Sequence, residues 1–544
     1  MSISRTLLRP VAFVAGERAS RQVRAFLAAH DRTAEVQERV LADLLRRHAE
    51  TDFGRDHGFA AIGSYEDFVR AVPVGTYDTL RPYLHRVLHG RTVALLPGDE
   101  DVLMFSRTSG TTGEPKHIPV TGRFLAEMRR GWNIFGAKVL TDHPDGWLRP
   151  ILTITSSMHE TTSPSGLPCG AISGLLAASQ MRIVRKMYAV PRQAAEISDA
   201  AARYYTILRC AVGRNVGVIT TANPSSTIKV IETGQAHAER LIRDVADGTL
   251  RPPGEVAPEL LRGIRFRPRA ELARRMAEGL RRDGRLLPRH FWDVEILCNW
   301  TGGTLKLYLP RLRELFGDLP VRDIGLVASE GRFSVPLADR TPEGVAEITA
   351  NFLEFIPADQ YGQGNPPTLR AHELEIGQEY FLVLSNWTGL WRYSLDDRVR
   401  VTGRLGDSPV FEFLCRGLHT ASITGEKITE HQVVEAMRRA ASRLSVAVDR
   451  FTLQGCFDHT PYYELRLERA DWGPAALAEA MDGALAELNV EYSGKRASGR
   501  LGPIRPAVVD EGTFERLERN RIARRVGRGE QYKHQYLLTD VVGG

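Results

Sequence analysis

The chain of 544 residues is 43% hydrophobic and 25% charged, a globular composition that excludes collagen, a coiled coil and bulk disorder. At about 150 residues per domain, this length predicts two to four domains. No run of about 18 uncharged apolar residues occurs, so we expect no membrane-spanning helix. Arg5 and Arg9 interrupt the apolar run at the N-terminus, so we expect no signal peptide either.

The charge and the cysteines narrow the class of protein further. Basic residues number 72 and acidic residues 66, and the net charge of +6 is spread along the chain. This pattern suits small anionic substrates and predicts no nucleic-acid or membrane partner. Five scattered cysteines without a CxxC pair predict neither a disulfide framework nor a cysteine-zinc site, so we expect a cytoplasmic protein.

The periodicity of apolar residues predicts an α/β fold. Helical spacing occurs over residues 34–50, 123–139, 192–212, 227–247, 270–282, 431–443 and 474–488. Short apolar or β-branched runs predict strands over residues 151–155, 216–221, 324–328, 347–355 and 380–384. Strands and helices mixed along the whole chain are typical of α/β architecture.

The sequence after about residue 415 has the pattern of a separate module. It predicts a helix, two strands and a second helix over residues 430–443, 449–457, 461–469 and 473–488. A module of about 125 residues has a normal domain size. We therefore predict an N-terminal domain over residues 1–416 and a C-terminal domain over residues 417–544.

A loop rich in glycine and hydroxyl groups follows the apolar run at residues 102–105. Its candidate phosphate-binding residues are Ser106, Thr108, Ser109, Gly110, Thr111, Thr112, Gly113 and Lys116. Glycines let consecutive N–H groups point at an anion, hydroxyls add donors, and the lysine adds a positive charge. The loop is not a Walker A motif, because Pro115 separates its second glycine from the lysine. The alternative is a polar surface turn.

Residues 108–116 resemble the signature Thr-Ser-Gly-Thr-Thr-Gly-x-Pro-Lys of the adenylate-forming superfamily and match it at every position. The superfamily includes acyl-CoA synthetases, luciferases and peptide-synthetase adenylation domains. The resemblance implies that this loop handles the phosphates of ATP while a carboxylic acid is adenylated. Such chemistry also requires a carboxylate for Mg²⁺, a group for the ribose and cations for the transition state.

Two carboxylates are candidates for those tasks. Glu330 follows Ser329 at the end of an apolar run, where the superfamily has an aromatic-Gly-x-Thr-Glu motif, which implies Mg²⁺ binding by Glu330 and a nucleotide contact by Ser329. Asp397 resembles the ribose-binding aspartate of the Tyr-x-Thr-Gly-Asp motif. Leu395 and Asp396 replace the threonine and glycine of that motif, so a different turn is expected.

Three basic residues resemble parts of the superfamily's hinge and C-terminal domain. Arg416 would contact the ribose or the phosphates of ATP. Lys427, in the run Gly-Glu-Lys-Ile, and Lys533, near the C-terminus, would be the catalytic lysines. Only 8 of the 72 basic residues are lysines, which makes a lysine at a motif position more informative. Leu418 replaces the usual hinge aspartate.

Further runs resemble the Gretchen Hagen auxin-responsive family of acyl-acid amido synthetases. They lie at residues 51–59, 301–330, 351–357, 377–393 and 531–533. The resemblance implies a large adenylate-forming domain with a smaller, mobile C-terminal lid. It also implies a ligase that uses ATP and Mg²⁺ to convert a small carboxylic acid into an acyl-AMP. The acyl group would then pass to an amine, typically of an amino acid.

Two other functions remain open at this point. An acyl-CoA ligase would use the same acyl-adenylate with a thiol, and a non-catalytic protein would only bind an acyl group or a nucleotide. The bias towards arginine suggests a bacterial source.

Overall fold

The computed structural model describes residues 20–108, 115–146, 149–180, 182–417, 420–446, 450–514 and 536–543, with Glu17, Val448 and Arg516. The chain forms two compact units. One holds the residues through Thr108 and from Lys116 to Leu414, and the other holds Pro115 and the residues from Cys415 onward. No helix of the described part is long and apolar enough to cross a membrane.

The helices of the first unit lie before its strands and between them. They are α1 (Thr33–His48), α2 (Asp52–Asp56), α3 (Tyr65–Ala71), α4 (Tyr77–Leu88), α5 (Gly122–Asp142), α6 (Ile172–Ala178), α7 (Arg182–Arg185), α8 (Ala200–Val212), α9 (Pro224–Ala236), α10 (Ala238–Asp247), α11 (Pro258–Leu261), α12 (Ala270–Asp283) and α13 (Leu309–Phe316). The helices α14 (Glu430–Leu444), α15 (Pro474–Leu488) and α16 (Val490–Ala497) belong to the second unit.

The strands of the first unit form several sheets. They are β1 (Val102–Thr108), β2 (Lys116–Thr121), β3 (Ile151–Thr153), β4 (Thr161–Thr162), β5 (Pro168–Gly170), β6 (Val218–Thr220), β7 (Ile296–Cys298), β8 (Val321–Arg322), β9 (Val327–Ala328), β10 (Gly331–Arg332), β11 (Ser334–Val335), β12 (Gly344–Ala346), β13 (Phe352–Pro357), β14 (Leu369–Arg370), β15 (Glu379–Ser385), β16 (Tyr393–Leu405) and β17 (Ser408–Arg416). Their sheets have the orders β2-β1-β5-β4, β3-β6-β7-β8, β10-β9 and β11-β12-β17-β16-β15-β13-β14.

The seven-stranded sheet carries the main core. Helices α1 to α4 pack their apolar faces against it, and the contacts include Leu44, Phe68 and Trp391, all with at most 1% of their surface exposed. The parallel sheet β3-β6-β7-β8 packs with α5 in a second cluster around Phe135 and Ile296. Burial of so many large apolar side chains, worth about 1.5–3 kcal/mol each, stabilises the unit.

The second unit has its own core. Its strands are β18 (Thr420–Ala421), β19 (Ile428–Thr429), β20 (Thr452–Phe457), β21 (Tyr462–Leu467), β22 (Arg505–Val508) and β23 (Leu537–Gly543), and four of them form the sheet β22-β21-β20-β23. Apolar residues of α14 and α15 pack against this sheet, where they join a cluster that includes Tyr463 and Leu465 of β21. The helix, two strands and helix expected after residue 415 are all present.

Several predicted boundaries were wrong for local reasons. The helix predicted from residue 192 begins at Ala200, because Asp199 caps it by accepting a hydrogen bond from Ala202 N. The helix predicted over residues 227–247 is interrupted at His237, whose φ of −119° is not helical. The strand predicted from residue 347 begins at Phe352 instead, since the carboxylate of Glu347 accepts from Ala350 N and turns the chain.

The cysteines of the described part carry no disulfide. Cys169, Cys210, Cys298 and Cys456 are free and buried. Burial raises the pKa of the Cys210 and Cys298 thiols to about 12, so both stay protonated and unreactive at neutral pH.

A buried ion pair connects β13, β16 and the helices at the start of the chain. Arg392 and Glu354 have 1% and 0% of their side-chain surfaces exposed, and Arg392 Nη2 lies 3.0 Å from Glu354 Oε1. Tyr65 and Thr368 also donate to Glu354 Oε1, at 2.9 and 2.8 Å. Arg392 Nη1 donates to Val72 O at 2.8 Å. Because both charged side chains are buried, loss of one charge would leave the other uncompensated.

We predict that Glu354→Ala lowers the free energy of unfolding by about 3–5 kcal/mol, since the guanidinium would be left buried without its counter-ion. Glu50→Gln, which breaks the exposed pair with Arg55, is the matched control and should cost at most about 1 kcal/mol. Denaturant unfolding of the full chain measures both. Equal, small losses in the two variants would contradict the importance of the buried pair.

Candidate active site

The strands on either side of the predicted phosphate loop form an antiparallel hairpin. Thr108, the last residue of β1, pairs with Lys116, the first residue of β2. The structure therefore places the two ends of the loop opposite each other. The candidates Ser109, Gly110, Thr111, Thr112 and Gly113 lie outside the described residues.

Ser106 connects this hairpin to the predicted metal ligand. It is fully buried in β1, and its hydroxyl donates to Ser329 Oγ at 2.7 Å. Ser329 and Glu330 form the two-residue turn between β9 and β10, in which Ala328 pairs with Gly331. Three of the predicted residues are thus adjacent in space, although 223 positions separate the two serines.

The Glu330 carboxylate lies in an unusual setting. Only 3% of the residue is exposed, and no donor or cation of the described residues contacts the carboxylate. Its backbone carbonyl accepts from Asn386 Nδ2 at 2.7 Å, which fixes the turn. A bound cation can take such a carboxylate as a ligand. Mg²⁺ suits such a site, because it takes one or two carboxylates and completes its shell with substrate phosphates and water.

No ready-made metal cage accompanies Glu330. Within the described ranges, no group of three or more His, Cys, Asp or Glu side chains could hold a metal ion.

Lys116 is directed at two tyrosines. Its Nζ donates to the Tyr393 hydroxyl at 3.2 Å, and it lies 5.6 Å from the Tyr77 ring centroid and 5.8 Å from that of Tyr393. Both distances are within the range of a cation–π interaction. Tyr77 and Tyr393 were not predicted as site residues, since a contact across 277 positions leaves no local signal.

Asp397 lies on β16 with 5% of its surface exposed. Asp396, which stands where the resembled motif has glycine, has a φ of 62°, a backbone angle that glycine adopts without strain. Asp396 takes up the glycine conformation at some cost in strain, which aspartate tolerates better than most residues.

The basic candidates of the second half of the chain are placed only in part. Arg416 is the last residue of β17, and Lys427 immediately precedes β19. Lys533 lies outside the described residues. Lys427 has a φ of 48°, which is strained for a lysine and requires support from its surroundings.

The residues around Lys427 provide that support. Asn489 Nδ2 donates to the carbonyls of Glu426 and Lys427, at 3.0 and 3.3 Å. The fully buried Glu426 carboxylate accepts from the backbone N–H groups of Ile423 and Thr424, both at 2.7 Å. The backbone at Lys427 is thus fixed by two neighbouring residues. Sequence reasoning missed Asn489, which lies 62 positions away.

A second lysine lies in the same part of the unit. Burial, with a smaller contribution from the charge of Arg500, lowers the pKa of Lys495 to about 8. The charges of Glu426 and Lys427 also act on it, in opposite directions.

A buried aspartate holds the loop that starts at Thr301. Asp323 Oδ2 accepts from Thr301 N at 2.5 Å and from Thr301 Oγ1 at 2.9 Å, and Oδ1 accepts from Gly325 N at 2.6 Å. Burial raises the pKa of Asp323 to about 6 despite these donors. This residue was not predicted, although it lies within the run at residues 301–330.

The overall fold resembles solved acyl acid amido synthetases. The structure of AtGH3.15 in complex with 2,4-DB has a TM-score of 0.66 and 21% identity, over 95% of this chain and 94% of that chain. A second GH3.15 structure has a TM-score of 0.62 and 22% identity, over 93% and 91%. The prediction of an α/β, adenylate-forming fold with a separate C-terminal domain is therefore confirmed.

The sequence matches the GH3 family along most of its length. Residues 22–321 match the GH3 family N-terminal domain, residues 345–416 its central domain and residues 431–541 its C-terminal domain. The chain belongs to the GH3 family, as the resemblance predicted.

Similar proteins with named activities come from plants. The indole-3-acetic acid-amido synthetase GH3.8 of Oryza sativa subsp. indica is 27% identical over 89% of this chain and 84% of its own length. The jasmonoyl-L-amino acid synthetase GH3.5 of Oryza sativa subsp. japonica is 24% identical over 89% of both chains. The probable indole-3-acetic acid-amido synthetase GH3.1 of Arabidopsis thaliana is 26% identical over 95% and 91%. These plant sequences give the expected bacterial source no support.

Proposed function

We propose that the chain is an acyl-acid amido synthetase that works through an acyl-adenylate. A carboxylate oxygen attacks the α-phosphorus of ATP, and the bond to pyrophosphate breaks. The amine nitrogen of a second substrate then attacks the acyl carbon, loses a proton, and displaces AMP. The match to all three domains of the GH3 family carries this proposal.

The geometry of the large unit supports the first half-reaction. The Ser106–Ser329 hydrogen bond brings the strand before the phosphate loop to the turn that carries Glu330. Lys116 stands at the other end of that loop. A cation and a carboxylate that can hold Mg²⁺ therefore flank the segment that would bind the ATP phosphates. Mg²⁺ on Glu330 would neutralise charge on those phosphates.

The remaining residues take the roles that their motifs imply. Asp397 and Arg416 bind the ribose or phosphates, and Ser106, Thr108 and Ser329 line the nucleotide site with the loop. Lys427 and Lys533 act from the C-terminal domain, residues 417–544, as it closes over the domain of residues 1–416. Such closure excludes water and separates the two half-reactions.

The names of similar proteins suggest which substrates to test first. One plant relative is named for indole-3-acetic acid, and the other for a jasmonoyl group and an L-amino acid. We infer a small carboxylic acid of this kind and an amino-acid amine for this chain. A cytoplasmic location and a bacterial source belong to the same proposal; the cysteine pattern supports the first and the arginine bias the second.

The proposed function predicts acid-dependent release of pyrophosphate from Mg-ATP. The assay uses a panel of aromatic, fatty and jasmonate-like acids, with hydroxylamine to trap the acyl-adenylate as a hydroxamate. Amino acids and CoA are then compared as acceptors for any acid that reacts. Faster product formation with an amino acid supports the amido synthetase, whereas thioester formation with CoA would identify an acyl-CoA ligase. A folded protein that binds ATP but reacts with no acid would favour a binding protein.

For the C-terminal lysine, we predict that Lys533→Ala lowers kcat for pyrophosphate release by about 100- to 1,000-fold, since it removes a charge from the transition state. Lys138→Ala is the matched control, because it removes a lysine whose partner is Asp142 on α5 and which belongs to no predicted motif. Circular dichroism checks that both variants are folded. Turnover of Lys533→Ala close to that of the control would remove Lys533 from the mechanism.

For the metal, we predict that Glu330→Gln raises the Mg²⁺ concentration for half-maximal activity at least about tenfold, a loss that residues merely supporting a metal ligand already cause. The substitution keeps the size of the side chain and removes its charge. The measurement is a Mg²⁺ titration of pyrophosphate release at fixed ATP. A titration curve that coincides with that of the unsubstituted protein would show that Glu330 is not the ligand.

A further inference from the structure

The strand that carries Asp397 contains a bulge. Phe381 of β15 pairs with Arg398 of β16, and Val383 pairs with Ser394. One residue of β15 therefore lies opposite residues 395–397 of β16. A bulge redirects the side chains of its strand, and bulges are common beside active sites.

The left-handed residue of this bulge is Asp396. Its φ of 62° lies in the region that glycine occupies without strain, and glycine stands at this position in the motif that the segment resembles. The bulge of this chain therefore contains a side chain that a glycine would not offer. Any contact made by that side chain can hold the bulge in place.

Tyr361 contacts both sides of the bulge. Its ring stacks on Phe381, with centroids 3.6 Å apart and planes inclined by 14°. Its hydroxyl donates to Asp396 Oδ1. Tyr361 comes from the segment between β13 and β14, so one side chain joins this segment to β15 and β16 at the point where their pairing is interrupted.

Asp397 follows Asp396 directly and is 5% exposed, so the direction of its carboxylate depends on the backbone of the bulge. We propose that the Tyr361–Asp396 hydrogen bond fixes this bulge and thereby positions Asp397 for the ribose of ATP. Tyr361 is then a positioning residue, and the aspartate has replaced glycine because it provides an acceptor. The inference rests on the nucleotide site of the proposed function.

The test is a double-mutant cycle read by ATP affinity. Tyr361→Phe keeps the ring on Phe381 and removes the hydroxyl, so the dissociation constant for Mg-ATP should rise about tenfold, as for a lost hydrogen bond to a charged group. Asp396→Gly restores the residue suited to the left-handed backbone and should bind ATP within about twofold of the unsubstituted protein. In that background Tyr361→Phe should have no further effect.

Calorimetric titration with Mg-ATP, without acid or amine, measures the dissociation constant of the unsubstituted protein, the two single variants and the double variant. Asp396→Asn is the conservative control, since its amide oxygen can still accept from Tyr361, and it should bind ATP better than Tyr361→Phe. Steady-state kinetics should show a raised KM for ATP in Tyr361→Phe with kcat changed less than about twofold.

Three results would overturn the inference. The first is that Tyr361→Phe binds ATP as tightly as the unsubstituted protein. The second is that Tyr361→Phe weakens ATP binding by the same factor in the Asp396→Gly background as in the unsubstituted protein. The third is that Tyr361→Phe lowers kcat and leaves the KM for ATP unchanged. An unsubstituted protein that binds no ATP would overturn the proposed function as well, so the two failures are distinguishable.

Discussion

The buried pair of Arg392 and Glu354 is the interaction on which much of the large unit depends. Two charges removed from water are tolerated only when each finds its full set of partners, and here the partners come from three parts of the chain. Tyr65 lies on α3, Glu354 on β13, and Arg392 immediately before β16. The pair therefore joins the helical layer to the sheet.

The consequences extend to the candidate active site. Arg392 has a φ of 40°, and its carbonyl accepts from Gly75 N at 2.9 Å. Tyr393, the next residue, meets Lys116 through its hydroxyl. Asp397 follows on the same strand. A structural ion pair, a lysine of the phosphate loop and a predicted ribose ligand are thus linked through one short segment of backbone.

The predictions from sequence were most accurate for elements with one clear pattern of apolar residues. Helices with a clear apolar face, such as α1 and α14, agree with their predicted ranges to within about two residues. The long strand β16 was not predicted, because Asp396, Asp397 and Arg398 interrupt its apolar alternation. Arg398 and Arg400 both pair with Glu379 on the neighbouring strand, an arrangement that appears only once the sheet is formed.

In the candidate site, too, the residues of clear motifs were predicted and the residues that support them were not. Motifs identified Ser106, Ser329 and Glu330 as separate candidates, and folding brought them together. Asn386 holds the backbone at Glu330 and Asn489 holds the backbone at Glu426; both act through backbone carbonyls and have no motif of their own. A partner of this kind can come from any position in the sequence whose side chain reaches the carbonyl, so only the structure reveals it.

In the proposed reaction, ATP activates the acid by converting it into an acyl-AMP with release of pyrophosphate. The most direct measurement uses a substrate acid labelled with ¹⁸O in its carboxylate, together with ATP and an amine, and determines the label in the products by mass spectrometry. The account predicts one labelled oxygen in AMP, because the oxygen that attacks the α-phosphorus leaves with AMP when the amide forms. Formation of ADP with labelled inorganic phosphate, or of AMP without label, would contradict it.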